Sequence, residues 1–131
     1  MNGLRVLVVD DCAVVADGFS RLLCRWGHQT RVAYDGSQAL AVAPEFRPDV
    51  ALLDVGLPRM GCYEVGRRLR ELPGLGGLML VALTGHADAA YERRAQAAGF
   101  AALFFKLAAP SALEALLRAL AREKARRTLA P

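Results

Sequence analysis

Four short apolar runs in this chain each end abruptly on a polar side chain, and that pattern restricts the fold more than any other feature. Leu4 to Val9 ends on Asp10-Asp11, Val50 to Leu53 on Asp54, Leu78 to Leu83 on Thr84, and Ala101 to Phe105 on Lys106. Runs of this length, continuous rather than alternating, read as strands buried on both faces. A further run, Gln29 to Tyr34, alternates as a strand with one wetter face does.

The segments between them have helical periodicity. Val15, Phe19, Leu22, Leu23 and Trp26 recur at helical spacing before a stop at Gly27. Asp35-Gly36-Ser37 turns into a helix expected to end near Pro44. After Pro58 a loop leads to a helix with Val65, Leu69 and Leu72 on one face, closed by Pro73-Gly74. Ala87 to Ala98 is an Ala-rich helix before Gly99. The last helix is expected to start on a capping box, Ser111-x-x-Glu114, with Leu113, Leu116, Leu117 and Leu120 as its apolar stripe. Glu114 and Arg118, four apart, should pair outside that stripe. Strands alternating with helices predict one doubly wound α/β domain, a parallel sheet covered on both faces. In such sheets ligands bind beyond the carboxyl ends of the strands.

A chain of 131 residues, 54% hydrophobic and 23% charged, suits a single domain with an ordinary core. No apolar run approaches the roughly 20 residues of a membrane span, and Met1 to Val9 lacks the basic region of a secretory signal. A cytoplasmic protein without membrane contact is expected. Cys12, Cys24 and Cys62 show no Cys-x-x-Cys pairing and no zinc spacing with His28 or His86, so they are read as free thiols acting as small buried hydrophobes. The net charge of +4 lies wholly within residues 118–131, where Arg118, Arg122, Lys124, Arg126 and Arg127 face one acid, Glu123. Cations there suit a helix C-terminus, and no nucleic-acid motif accompanies them, so nucleic acid is not an expected partner.

The chemistry follows from the strand ends. Asp10, Asp11, Asp54, Thr84 and Lys106 should meet along one rim of the sheet. Carboxylates crowded together repel, and a hard divalent cation relieves this; Mg²⁺ favours a few carboxylates, a carbonyl, waters and a phosphate oxygen. Asp54 could then act as an oxygen nucleophile toward an activated phosphoryl donor, with the Thr84 hydroxyl and Lys106 ammonium holding phosphoryl oxygens. The product would be an acyl phosphate on the protein itself.

Asp10-Asp11, Asp54-x-x-Leu57-Pro58, Thr84-Gly85 and Lys106, in this order and spacing, resemble the CheY-like receiver domain of two-component response regulators. The resemblance spans roughly Leu4 to Arg122. It implies a flavodoxin-like sheet in the order 2-1-3-4-5, with residues 1–124 forming the receiver and 125–131 a basic tail or the start of a linker. It implies Asp54 as phosphoacceptor, Thr84 and Lys106 as the phosphate-sensing pair, and Mg²⁺ held by Asp10, Asp11, Asp54 and the Gly56 backbone carbonyl. The implied donor is a phosphohistidine on a sensor histidine kinase or phosphotransfer protein, with the output partner unspecified. Such a domain is not an enzyme with a separate substrate; it assists its own phosphorylation and dephosphorylation. The resemblance is strongest to receivers found beside hybrid sensor kinases, and either a stand-alone receiver or one from a longer protein fits.

Departures from the family pattern set further expectations. Leu107 follows the lysine where receivers usually carry a cis proline; a cis bond before any other residue costs about 2.5–4 kcal/mol, so a trans bond is expected. Gly61-Cys62 stands where Asp/Asn-Gly is usual, and Leu103 occupies the place of the switch aromatic. Phe104 and Phe105 are read as ordinary strand residues, one on each face. Gly56 and His86, two residues beyond Asp54 and Thr84, lie where side chains can tune attacking water, with an exposed helix start as the plainer reading of His86. A pseudo-receiver, acting as a protein-interaction module without phosphorylation, is the alternative. A haloacid-dehalogenase-type phosphohydrolase would need a second acid where Gly56 stands, and a nucleotide-binding domain would need a glycine-rich loop after the first strand.

Overall fold

The computed structural model describes residues 3–86 and 89–129. Five strands alternate with five helices: β1 (Arg5–Val9), α1 (Ala13–Arg25), β2 (Gln29–Ala33), α2 (Gly36–Phe46), β3 (Val50–Asp54), α3 (Cys62–Glu71), β4 (Met79–Thr84), α4 (Ala89–Ala97), β5 (Ala102–Phe105) and α5 (Pro110–Leu129). The strands form one parallel sheet in the order β2-β1-β3-β4-β5, as expected. The first two residues assigned to the Ala-rich helix by sequence, Ala87 and Asp88, lie outside the described residues.

Period-two alternation divides the apolar strand residues between two cores. Leu7, Val9, Ala51, Leu53, Leu80 and Ala82 point to one face, where α2, α3 and α4 cover them with Ala43, Phe46, Val65, Leu69 and Ala95. Val6, Val8, Val50, Leu52, Val81 and Leu83 point to the other, covered by α1 and α5 through Leu23, Leu113 and Leu117. Because β1, β3 and β4 are central and buried on both sides, they need the continuous apolar runs seen in the sequence. β2 lies at an edge and keeps its alternation.

The helix boundaries depart from expectation in two places. Pro44 does not end α2, which runs on to Phe46 and closes at Arg47, a residue in the left-handed conformation (φ 55°) whose N–H donates to Ala43 O at 2.8 Å. Pro44 sits in the last turn, where the carbonyl it leaves unpaired costs little. Nor does Ser111 cap α5. The helix begins one residue earlier, at Pro110, whose fixed φ and missing N–H suit the first helical position. The Glu114–Arg118 pair does form, at 3.5 Å.

Of the cysteines only Cys62 is buried; Cys12 and Cys24 are exposed, against the expectation of three buried thiols. Cys12 precedes the first turn of α1 at the rim of the sheet, and Cys24 lies on the outer side of α1, its Sγ 3.2 Å from Thr30 Oγ1.

His28, which has no role in any motif, ties the start of β1 to the α1–β2 turn. Its Nδ1 accepts the Leu4 N–H at 2.9 Å. Burial lowers its pKa below 6.5, against the pull of Glu114, and the hydrogen bond likewise requires an unprotonated Nδ1. A pKa depressed on folding stabilises fully above the unfolded value and is lost as pH falls through the folded value. Urea midpoints measured from pH 7.5 to pH 5 should therefore fall further for the wild type than for His28→Asn. Parallel curves for the two proteins would remove this role.

Candidate functional site

The parallel sheet brings the predicted residues to one edge. The Asp10 N–H donates to Ala33 O at 3.1 Å, the Val55 N–H to Leu83 O at 2.8 Å, and the Lys106 N–H to Thr84 O at 2.8 Å, so backbone bonds fix each strand end against its neighbour. Asp10 is fully buried, Asp54 and Thr84 nearly so, and Asp11 is exposed.

Lys106 joins the acids. Its Nζ lies 2.7 Å from Asp10 Oδ2 and 2.9 Å from Asp54 Oδ1. Burial works against its charge, but the two carboxylates outweigh that, Asp10 first, and leave its pKa above the ordinary value. Asp10 Oδ1 accepts the Cys12 N–H at 2.9 Å, and Asp54 Oδ1, the oxygen that faces Lys106, also accepts the Gly56 N–H at 3.2 Å. Asp10 Oδ2 is sealed from solvent, and Lys106 Nζ at 2.7 Å is its one partner among the described residues. One carboxylate oxygen from each of Asp10, Asp11 and Asp54 lies within 4.8 Å of the others. Three hard oxygen donors, one of them from the fully buried Asp10, fit a divalent cation of the Mg²⁺ kind.

Thr84 closes β4 one residue past Leu83, which pairs in register with Asp54. Its hydroxyl is engaged with the loop that follows: Oγ1 accepts the His86 N–H at 3.0 Å and donates to the His86 carbonyl at 3.0 Å. His86 is itself exposed, and it is the backbone of this residue that meets Thr84. Gly56 matters by its lack of a side chain, because a Cβ there would lie 3.5 Å from Asp54 Oδ2. The carboxylate is thus left open on that side.

The departures in sequence have local structural consequences. No cis peptide occurs among the described residues, so the Lys106–Leu107 bond is trans, as expected. Gly61, with φ 78°, takes the positive-φ turn before α3, and Cys62 lies beneath the acids with its thiol 3.5 Å from Leu53 O. Burial, aided by Asp54, pushes that thiol up to about 12, so it remains protonated. Leu103 packs against the α2–α3–α4 core and Phe104 against the other, while Phe105 alternates back to the side of Leu103.

Residues 6–118 match the model of the response regulator receiver domain. The chain belongs to that family. Over 84 residues it is 44% identical to the DNA-binding response regulator MtrA of Mycolicibacterium paratuberculosis, an alignment covering 64% of this chain and 37% of the relative. It is 49% identical over 78 residues to the probable transcriptional regulatory protein TcrX of Mycobacterium tuberculosis, covering 59% and 33%. The alignments thus span about a third of these relatives, which are named as DNA-binding or transcriptional regulators rather than hybrid kinases. Among solved structures, chemotaxis protein CheY4 of Vibrio cholerae superposes with a TM-score of 0.84 at 27% identity, covering 91% of this chain and 99% of that one. A CheY-like receiver from Methanospirillum hungatei gives 0.81 at 25% identity, covering 95% and 99%. The chain is a receiver domain of response regulators, and relatives named as response regulators do not favour the pseudo-receiver alternative. No helix among the described residues is long and apolar enough to cross a membrane.

Two features of this receiver escaped sequence reasoning. The Thr84 hydroxyl is already engaged by its own loop, and an apolar surface adjoins Lys106. Val14 and Leu107 are 79% and 80% exposed. With Val15, Phe19 and Leu22 they flank a cavity of about 450 Å³ whose wall includes Lys106. A period-based reading assigns Val15, Phe19 and Leu22 to the core stripe of α1 and finds no surface there. Only the β5–α5 loop placing Leu107 opposite Val14 creates one.

Proposed function

We propose that this receiver accepts a phosphoryl group on Asp54 from a phosphohistidine of a sensor histidine kinase or phosphotransfer protein. The observation that carries the reading is Lys106 Nζ, held 2.7 and 2.9 Å from Asp10 and Asp54 at the lip of the sheet. An oxygen of Asp54 attacks phosphorus, the P–N bond to the donor imidazole breaks, and an aspartyl phosphate forms on the protein. The Lys106 ammonium transfers its contact from the carboxylates to a phosphoryl oxygen, and charge-assisted bonds of this kind are about twice as strong as neutral ones. Thr84 donates a hydrogen bond from its hydroxyl to another phosphoryl oxygen, which requires that hydroxyl to leave the His86 carbonyl. Its release frees the loop after β4, and this begins the change that a partner reads.

Mg²⁺ held by Asp10, Asp11, Asp54 and the Gly56 carbonyl would offset the crowded carboxylates and stabilise charge on the transferred phosphoryl oxygens. The apolar surface of Val14, Phe19 and Leu107 would seat the donor protein, because it shares the wall that contains Lys106. Acting upon itself, the domain has no separate substrate to turn over. The receiver unit is residues 1–124, with 125–131 a basic tail or the start of a linker, in a cytoplasmic setting. DNA binding is in the names of the relatives; for this chain the output remains a separate partner or domain.

Mass spectrometry after incubation with Mg²⁺ and acetyl phosphate tests the proposal. The wild type should gain one phosphate and Asp54→Ala none, with EDTA abolishing the gain. Uptake equal in both proteins would exclude Asp54 as acceptor.

A further inference from the structure

The opposite edge of the sheet holds a second assembly of charge that phosphorylation does not use. Asp49 and Met79 flank the amino ends of β3 and β4, about 16 Å from Asp54 along a five-residue strand. A cavity of about 310 Å³ opens there, bounded by Arg47, Lys124 and Arg127 from two separate parts of the chain. Its apolar lining includes Pro48, Leu75, Leu78 and Met79.

Two of the cations are held in place. Lys124 Nζ pairs with Asp49 Oδ1 at 3.1 Å, and Arg127 donates to Gly77 O at 3.1 Å while pairing with Glu123. Both also suit the C-terminal dipole of α5. Arg47 differs. Its guanidinium forms no ion pair or hydrogen bond among the described residues, and it lies over Gly74, where a Cβ would come within 2.6 Å of Nη2. Gly74 has φ 81°, so the side chain is laid against a turn that needs glycine. In the same exposed loop, Pro73-Gly74-Leu75-Gly76-Gly77, Gly74 and Gly77 line the cavity, and the Gly74, Gly76 and Gly77 N–H groups donate to no backbone carbonyl among the described residues. Asp49 is the lining's one acid, and it is already shared between Lys124 and the Arg5 N–H.

Helix dipoles account for Lys124 and Arg127 but not for Arg47, whose exposed guanidinium brings a third cation to the same cavity. We infer that this cavity binds a small phosphomonoester, its phosphate between Arg47, Lys124 and Arg127 and its apolar or aromatic body against Pro48, Leu75 and Leu78. Three cations brought to one cavity from two parts of the chain match a dianionic, many-oxygened group. The volume is at the lower end for small-molecule sites, larger than phosphate alone requires.

The experiment uses AMP as probe, followed by ¹⁵N–¹H NMR on the full chain in EDTA, which leaves the Asp54 edge repulsive to anions. Saturable shifts are expected at Gly74, Gly76 and Gly77, competed by inorganic phosphate and absent with adenosine. Arg47→Gln and, independently, Arg127→Gln should each weaken binding roughly tenfold or more, whereas Arg118→Gln should not. Equal binding of adenosine, failure of phosphate to compete, shifts confined to the Asp54 edge, or unchanged affinity in both site variants would each overturn the site. Loss of Asp54 phosphorylation would leave this result untouched.

Discussion

Lys106→Met should destabilise the metal-free receiver by about 3 kcal/mol. Breaking a buried ion pair costs about 3–5 kcal/mol because the partner is left charged and unsolvated. Here one ammonium serves two acids: the Asp10 side chain is 1% exposed, the Asp54 side chain 10% and Lys106 itself 20%. Asp10 Oδ2 would lose its one counter-charge without gaining a hydrogen bond. Partial access of solvent to Asp54 places the effect at the lower end of the range. Urea unfolding at pH 7 in EDTA is the measurement, and a loss under about 1 kcal/mol would show that the contacts are geometric only. Added Mg²⁺ should stabilise the variant more than the wild type, because the cation no longer competes with the ammonium for the same oxygens. The pH dependence is also fixed in sign. A lysine pKa raised on folding stabilises fully below its unfolded value and loses that contribution as pH rises through the folded one. The gap between wild type and Lys106→Met should therefore stay level from pH 7 to about pH 10 and close only above the ordinary lysine range.

Strand ends were legible in this sequence because a parallel sheet converts a one-dimensional pattern into a place. If Leu53, Leu83 and Phe105 are buried in parallel strands, then Asp54, Thr84 and Lys106 must arrive at the same edge, whatever the loops do. The helices were legible as far as their apolar stripes, since Leu113, Leu117 and Leu120 have a single face to bury. Their ends were less so. Pro44 reads as a stop, yet the helix passes through it because its last turn has few hydrogen bonds to lose. Ser111-x-x-Glu114 reads as a cap, yet Pro110 competes for the same turn and starts the helix earlier. What sequence could not give is contact between side chains whose separation is set by tertiary structure. The Thr84–His86 bonds, the apolar surface made by Val14 and Leu107, and the convergence of Arg47 with Lys124 and Arg127 have no local pattern.

Gly61→Ala should cost about 2 kcal/mol, although an added methyl group there would touch nothing. Gly61 adopts φ 78° and ψ 158° as the residue preceding α3. That region is essentially closed to residues with a Cβ and costs about 1–3 kcal/mol when forced. No atom lies within 4 Å of the added Cβ, so the whole effect belongs to the backbone and not to packing. Gly76→Ala provides the control: it has equally open surroundings without a positive φ, and its stability should be unchanged or slightly raised. The same conformation explains how the loop tolerates its departure from the family pattern. Receivers usually place an acid or amide at this position and glycine at the next; here glycine comes one residue earlier, and Cys62 enters α3 with its thiol buried under Asp54. Gly61→Asp, which restores the usual side chain, should therefore destabilise as well, because any capping bond of about 1 kcal/mol comes with the same backbone strain. If the loop relaxes to relieve that strain, Cys62 shifts beneath the acceptor carboxylate, and acetyl phosphate should label Asp54 more slowly in both variants. Urea midpoints of Gly61→Ala and Gly61→Asp equal to that of Gly76→Ala would show that the turn is adaptable and that position 61 exerts no hold on the site.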